Sequence, residues 1–400
     1  MVYAIRTTTY TVTKTKAMLT RLSNSLRRLF VWFVALVGVG AGTGWAVEGI
    51  VDIGMVPRLT IVGSIGATHQ IQYCTNLNQP QWIVLTNLLV SESPCRFVDM
   101  SAPAASRRFY RVTKLSPDGM VLIPAGSFSM GDGSDGNTPS LPVHTVYVSE
   151  FFMDRYEVTK ALWDTVKAYN GGNGYSYENA GAGKAANHPV HSVNWRDCVK
   201  WCNARSQKEG LVPCYYNEAG LTTIYKAGTN APYAKWAANG YRLPTEVEWE
   251  KAARGGVSGH RFPWADTDNI SHSRANYWAV VNYPYDLSYP AGDHPTFATG
   301  GHPYTSPVGY FEANGYGLYD MAGNVGEWCW DWYSDEYYSS SPGTDPRGPA
   351  SGWDRVGRVG RGGGWCCDAY VCRTAHRGYG NPPDGRSNLM GFRAVRAAGQ

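Results

Sequence analysis

The chain has 400 residues, of which 43% are hydrophobic and only 17% charged. Lys and Arg number 36 against 32 Asp and Glu, a net charge of +4, too even a balance to point to nucleic acid or an anionic membrane surface as partner. With 46 Gly, 15 Trp and 27 Tyr, the composition suits a loop-rich globular chain whose aromatics fill the core; it excludes a helical bundle or an unfolded tail.

Residues 1–28 carry six basic side chains (Arg6, Lys14, Lys16, Arg21, Arg27, Arg28) and no acid. An apolar run follows at 29–39, then small residues ending at Gly44-Trp45-Ala46. Basic, apolar, small is the order of a secretory signal, so residues 1–46 read as a signal peptide, with Met18 as an alternative start. The apolar run is about a dozen residues, short of the ~20 that a membrane helix needs. Membrane contact is therefore expected only through this segment, if it stays uncleaved. The expected location is outside the cytoplasm: periplasmic, cell-surface or extracellular. Nine cysteines in an exported chain make disulfides available, and the odd number leaves at least one thiol free, metal-bound or paired to another chain.

Residues 57–114 read as a small all-β module. Runs at 59–63, 70–74, 82–85 and 108–112 are rich in β-branched and aromatic residues, and Gly66, Asn76, Asn78, Pro80 and Pro94 punctuate them. Cys74 and Cys95 fall on neighbouring runs, and a bridge between them would staple a core of marginal size. The module holds no catalytic set and reads as a spacer or adhesion unit.

A second domain is expected over residues 118–397. Helices are expected at 159–167, 195–208 and 245–253, the last opened by a capping box in which the Thr245 oxygen accepts from a backbone N–H and Glu248 reaches back. Elsewhere Gly, Asn, Asp and Pro recur every few residues, which predicts loops and short strands. His188 and His191, separated by Pro-Val, read as packed or capping histidines and not as a helical zinc pair. Cys198 and Cys202 share one helix face. The aromatic row at 328–333 reads as core, with a sugar platform as the alternative.

Several segments then add up in order. They are Met120 to Gly131 around Pro124-Ala125-Gly126, Glu157-Val158-Thr159, His188-Pro189-Val190-His191, and Tyr241-Arg242-Leu243-Pro244-Thr245-Glu246-Val247-Glu248-Trp249-Glu250. After them come Gly323-Asn324-Val325-Gly326-Glu327-Trp328, Arg361-Gly362-Gly363-Gly364-Trp365 and the closing Gly391-Phe392-Arg393. Together these resemble the formylglycine-generating enzyme (sulfatase-modifying factor) family over residues 118–397. The resemblance implies an α+β fold of the C-type-lectin-like kind with much irregular backbone.

The enzymatic members oxidise a cysteine of an unfolded sulfatase polypeptide to formylglycine with dioxygen. Two of their own cysteines hold Cu(I), a soft ion that prefers thiolates. Counted forward from the glycines, Cys367 and Cys372 fall on that pair. Counted back from Arg373-Thr374-Ala375-His376-Arg377, which resembles the family's Arg-x-Ala-x-Arg, they do not. Gly364 stands where the family has serine, and Gly326 where it has tryptophan. The alternative is a structural Cys372, bridged to Cys329, with Cys366 and Cys367 as surface thiols or a second bridge. The family partner of Cys202 corresponds to Ala394, which leaves Cys214 as its nearest candidate.

The resemblance also implies Ca²⁺, held by the carboxylates of Asp320 and Glu327 and the carbonyls of Gly323 and Val325, a mixed oxygen set that this hard cation takes. A second site would use the Asn276 side chain and the Tyr277 carbonyl, but its aspartate aligns with Gly300. Two functions follow: an exported oxidase of a sulfatase cysteine, or a noncatalytic lectin-like protein that binds or displays a partner at the cell surface.

Overall fold

The computed structural model describes residues 3–5, 57–61, 68–90, 92, 94–102, 108–134, 138–169, 173–351 and 357–398. Apart from residues 3–5, the expected targeting segment over 1–46 lies outside them. Among the described residues no helix is long and apolar enough to cross a membrane. The chain divides into two compact units, one comprising Met1–Gly63 and His69–Thr113, the other Ser64–Thr68 and Lys114–Gln400.

The first unit is all β. Strands Arg58–Ile61 and Cys95–Val98 form an antiparallel pair in which Leu59 faces Phe97 and Ile61 faces Cys95. A separate sheet includes Arg108–Lys114, Thr68–Cys74 and Ile83–Leu89, in that spatial order. Alternate residues (Leu59, Ile61, Ile71, Tyr110) point into a small core, as period-2 patterning demands. The expected Cys74–Cys95 bridge is not formed, and both thiols are free and buried. The physical reason is pairing: Cys74 ends a strand of the larger sheet, while Cys95 opens a strand of the other.

The second unit mixes short helices and sheets with much irregular backbone. Its central sheet sets Val395–Ala397 between Phe151–Asp154 and Tyr241–Arg242, with Met120–Ile123 beyond Phe151–Asp154. Helix α1 (Lys160–Ala168) is capped by Thr159, whose oxygen accepts from Leu162 N. Helix α2 (Trp195–Lys208) is capped by Asn194 and carries Trp195, Cys198, Trp201 and Cys202 into the core. Trp163 of α1 and Trp201 of α2 stack, with centroids 6.0 Å apart and planes within 2°. Helix α3 (Glu246–Ala253) opens with the expected capping box, Thr245 and Glu248 each accepting from the other's backbone.

A second sheet runs Gly378–Asn381, Arg358–Arg361, Gly326–Trp332, Met390–Gly391, the last pair parallel. This sheet and α3 position the residues of interest.

Candidate functional site

The cysteine loop is pinned at both ends to one helix. Arg361, at the end of its strand, pairs with Glu250 of α3 and lies 3.7 Å from Glu246. Arg377 grips Glu246 with two hydrogen bonds of 2.6 and 2.9 Å. All four side chains are buried. Burial alone would raise the Glu250 pKa, but Arg254 and Arg361 hold it below the usual carboxylate range. Between these anchors the chain turns tightly. Gly363 has φ +70°, and a Cβ there would stand 2.8 Å from the Cys372 sulfur, so no other residue fits without displacement.

Cys367 and Cys372 share one apolar cluster with Phe262, Tyr277 and Ala369. Cys372 is fully enclosed, Cys367 partly so, and Cys366 is exposed. Burial pushes the Cys367 thiol up to about 11, with Cys366 and Asp368 adding to the effect. Burial, then Cys367 and Asp368, push Cys372 well above the ordinary thiol range. The bridge considered between Cys372 and Cys329 is absent, because Cys329 belongs to a different cluster, around Trp249. Cys202 and Cys214 are also free; the Cys214 thiol donates to the Gly240 carbonyl at 3.4 Å instead.

Gly326 is explained by its neighbour. It pairs with Met390 across the parallel strands, and a Cβ on it would lie 2.7 Å from the Met390 sulfur. Met390 fills the space that a large side chain at 326 would need. At Gly364 a Cβ would meet the Leu389 and Asn324 carbonyls at 3.3 and 3.5 Å.

The loop at 320–327 abuts the cysteine loop, Gly323 N donating to Gly362 O at 2.8 Å and Trp365 N to Asn324 O at 2.8 Å. Asp320 sits at φ +56°, with one carboxylate oxygen accepting from Gly309 N at 2.6 Å and the other buried without a partner. Val325 N donates to Glu157, a buried carboxylate that the sequence reading did not single out. Glu327 is fully engaged: Arg393 donates to both its oxygens at 2.6 to 2.9 Å, and Trp249 Nε1 donates at 2.7 Å. Its lone pairs are spent on the protein, contrary to the expectation that it faces a cation.

Three buried carboxylates (Glu157, Asp320, Glu327) therefore share one guanidinium, Arg393. Burial, then Asp320 and Glu327, drive Glu157 well above the usual range, and burial with Glu327 raises Asp320 to about 6.

The neighbouring loop has the same character. Asn276 donates to Tyr304 O at 2.8 Å, but its own Oδ1 is buried and unpartnered. The Tyr277 carbonyl lies 3.1 Å from His272 Nε2. Gly300 is exposed and offers no carboxylate. Nearby, Gly292 exchanges backbone hydrogen bonds with Ala279, which sets Asp293 opposite Trp278, and Asp293 Oδ1 is buried without a partner.

Comparison with known proteins now decides the family. A family model of the sulfatase-modifying factor enzyme 1-like domain matches residues 106–398. The chain belongs to that family. A formylglycine-generating enzyme of Streptomyces coelicolor is 37% identical over 306 residues, covering 71% of this chain and 90% of the relative. The chaperone protein LppX of Paenibacillus barcinonensis is 33% identical over 291 residues, covering 70% and 90%. The solved structure of Treponema denticola variable protein 1 superposes with a TM-score of 0.54 at 31% identity, covering 70% of this chain and 94% of that one. The fold is thus the α+β, lectin-like fold of the sulfatase-modifying factor family.

Within this family member the two metal readings fare differently. The orphaned buried oxygens of Asp320, Asn276 and Asp293, in an excess of negative charge, fit a hard cation such as Ca²⁺. Cys367 and Cys372 have the softness Cu(I) prefers, but burial, with the acids Asp368 and Asp286 acting on Cys372, disfavours their thiolate forms. Among the described residues no three His, Cys, Asp or Glu side chains converge on one point.

Proposed function

We propose that this sulfatase-modifying factor protein is a noncatalytic binding scaffold, stabilised by calcium and working outside the cytoplasm. The observation that carries the reading is Met390. It occupies the space beside Gly326 where the resemblance puts a pocket-lining tryptophan, so the wall that would face a substrate peptide is rebuilt as packing. The burial that encloses Cys372 and raises the pKa of both thiols agrees with that. Calcium would be held by Asp320 with the carbonyls of Gly323 and Val325, and at a second position by the Asn276 side chain and the Tyr277 carbonyl. When bound it would supply positive charge to a carboxylate cluster that Arg393 alone leaves in excess. Glu157 and Glu327 would then hold the loop from behind, through Val325 N and Trp249.

A second reading is kept by a specific observation: Cys367 and Cys372 do share one cluster, in a chain 37% identical to a formylglycine-generating enzyme. In that case an unfolded sulfatase polypeptide would be the substrate. The test supplies the purified protein with Cu(I), dioxygen and a peptide carrying Cys-x-Pro-x-Arg, and reads the products by mass spectrometry. A scaffold leaves the peptide cysteine as it was. Aldehyde formation that disappears in Cys372→Ser would overturn the proposal and establish the oxidase.

A further inference from the structure

A cavity of about 570 Å³ shares no lining residue with the cysteine or acidic loops. Its chemistry comes from six side chains, Tyr233, Trp236, Trp330, Trp332, Arg347 and Arg358; the rest of the lining is small or aliphatic, and no Asp or Glu is among it. Its size is that of a small-molecule site.

Strand period builds the aromatic wall. Trp328, Trp330 and Trp332 alternate along one strand; Trp328 is buried while Trp330 and Trp332 are half-buried. Trp330 stacks on Tyr215 at 5.2 Å and 15°, and meets Trp236 edge-on at 5.7 Å and 89°. The tryptophans are fixed and present preformed surface.

Arg358 sits at the base of this wall. Its guanidinium lies 3.8 Å from the Trp195 ring centroid and 3.7 Å from that of Trp332, and it donates to Trp330 O at 2.5 Å. It is 2% exposed, and its Nε is buried with no partner. Asp331 acts on it through space but is spent on Glu246 N, at 2.8 Å. Burial pulls the guanidinium down to about 9, as expected of a buried cation short of negative charge. Arg347 adds a second, exposed guanidinium 4.4 Å from the Trp236 centroid.

We propose that this cavity binds an oxyanion, carboxylate or sulfate, carried on a ring with an apolar face. The two guanidinium groups take the anion through paired N–H donors. The indole and phenol faces take the ring. The lack of any acid in the lining favours anions over cations. An acidic saccharide and an aromatic acid both carry this chemistry. The site stands apart from the cysteine loop, so it holds whichever way the oxidase question falls.

The test titrates the whole protein with glucuronate, glucose 6-sulfate, benzoate and neutral glucose, read by tryptophan fluorescence and calorimetry. The anions saturate and glucose does not. Binding of the two sugars without benzoate assigns a saccharide, and binding of benzoate alone an aromatic acid; both uphold the site. Arg347→Gln, on the surface, and Trp236→Ala each weaken binding by about tenfold while near-ultraviolet circular dichroism confirms the fold. The proposal is overturned if none of the three anions saturates, if glucose binds as well as glucuronate, or if both variants bind as the unchanged protein does.

Discussion

The loops at 320–327 and 362–372 touch one another in the same fold, yet they present opposite chemistry. The first surrounds too much negative charge: three buried carboxylates, one guanidinium and an orphaned Asp320 oxygen. The second surrounds two thiols whose pKa values burial raises, in an apolar cluster with Phe262 and Tyr277. Each loop takes its electrostatics from its own set of neighbours, so the two can differ within a single chain.

The largest effect should come from removing the one cation that the acidic loop has. Arg393→Leu leaves Glu157, Asp320 and Glu327 buried without the cation they share, and urea unfolding should show a loss of about 3–5 kcal/mol. A loss that stays negligible would mean the carboxylates are not in tension, and the contrast between the loops would collapse.

Calcium should give the next largest. At about 100 times its dissociation constant, a ligand of the folded state alone adds about 2.7 kcal/mol, so chelation should lower the melting temperature and Asp320→Ala, which removes the side-chain oxygens, should remove that response. The effect has a pH signature. The Asp320 pKa is raised in the folded state, so the calcium-free fold gains from protonation at low pH and loses that gain as pH rises through about 6. The calcium increment should be small near about pH 4 and grow toward neutrality. An increment that is flat across this window would place calcium elsewhere.

In the cysteine loop, Gly363→Ala should destabilise by about 1–3 kcal/mol, because the new Cβ meets the Cys372 sulfur at positive φ. Adding Cys372→Ala should recover the steric part and leave the backbone strain. The smallest effect belongs outside both loops: Thr245→Ala removes the α3 cap, at about 1 kcal/mol by thermal unfolding, without changing the calcium response.

The helices were legible because their signals are local. Thr159, Asn194 and Thr245 each sit where a side-chain oxygen meets the first free N–H groups, and α2 runs over the expected residues. The disulfide expectations failed because pairing of cysteines depends on which sheet or cluster each strand joins, as with Cys74 and Cys95 or Cys329 and Cys372. Asp320 was legible from its motif. The role of Glu157 behind the loop was not, since its carboxylate meets Val325 N through a contact distant in sequence. The role of Met390 was equally hidden: a lone methionine gives no sign that it stands against Gly326 until the parallel strands are paired.

The contrast between the loops is tested most directly by loading the purified protein with Ca²⁺ and Cu(I) together under anaerobic conditions, removing free metal, and measuring what stays by elemental analysis. Calcium should remain in stoichiometric amount and be lost in Asp320→Ala, with no retained copper that depends on Cys372. Stoichiometric copper that vanishes in Cys372→Ser, in a protein that holds no calcium, would contradict the division of chemistry between them.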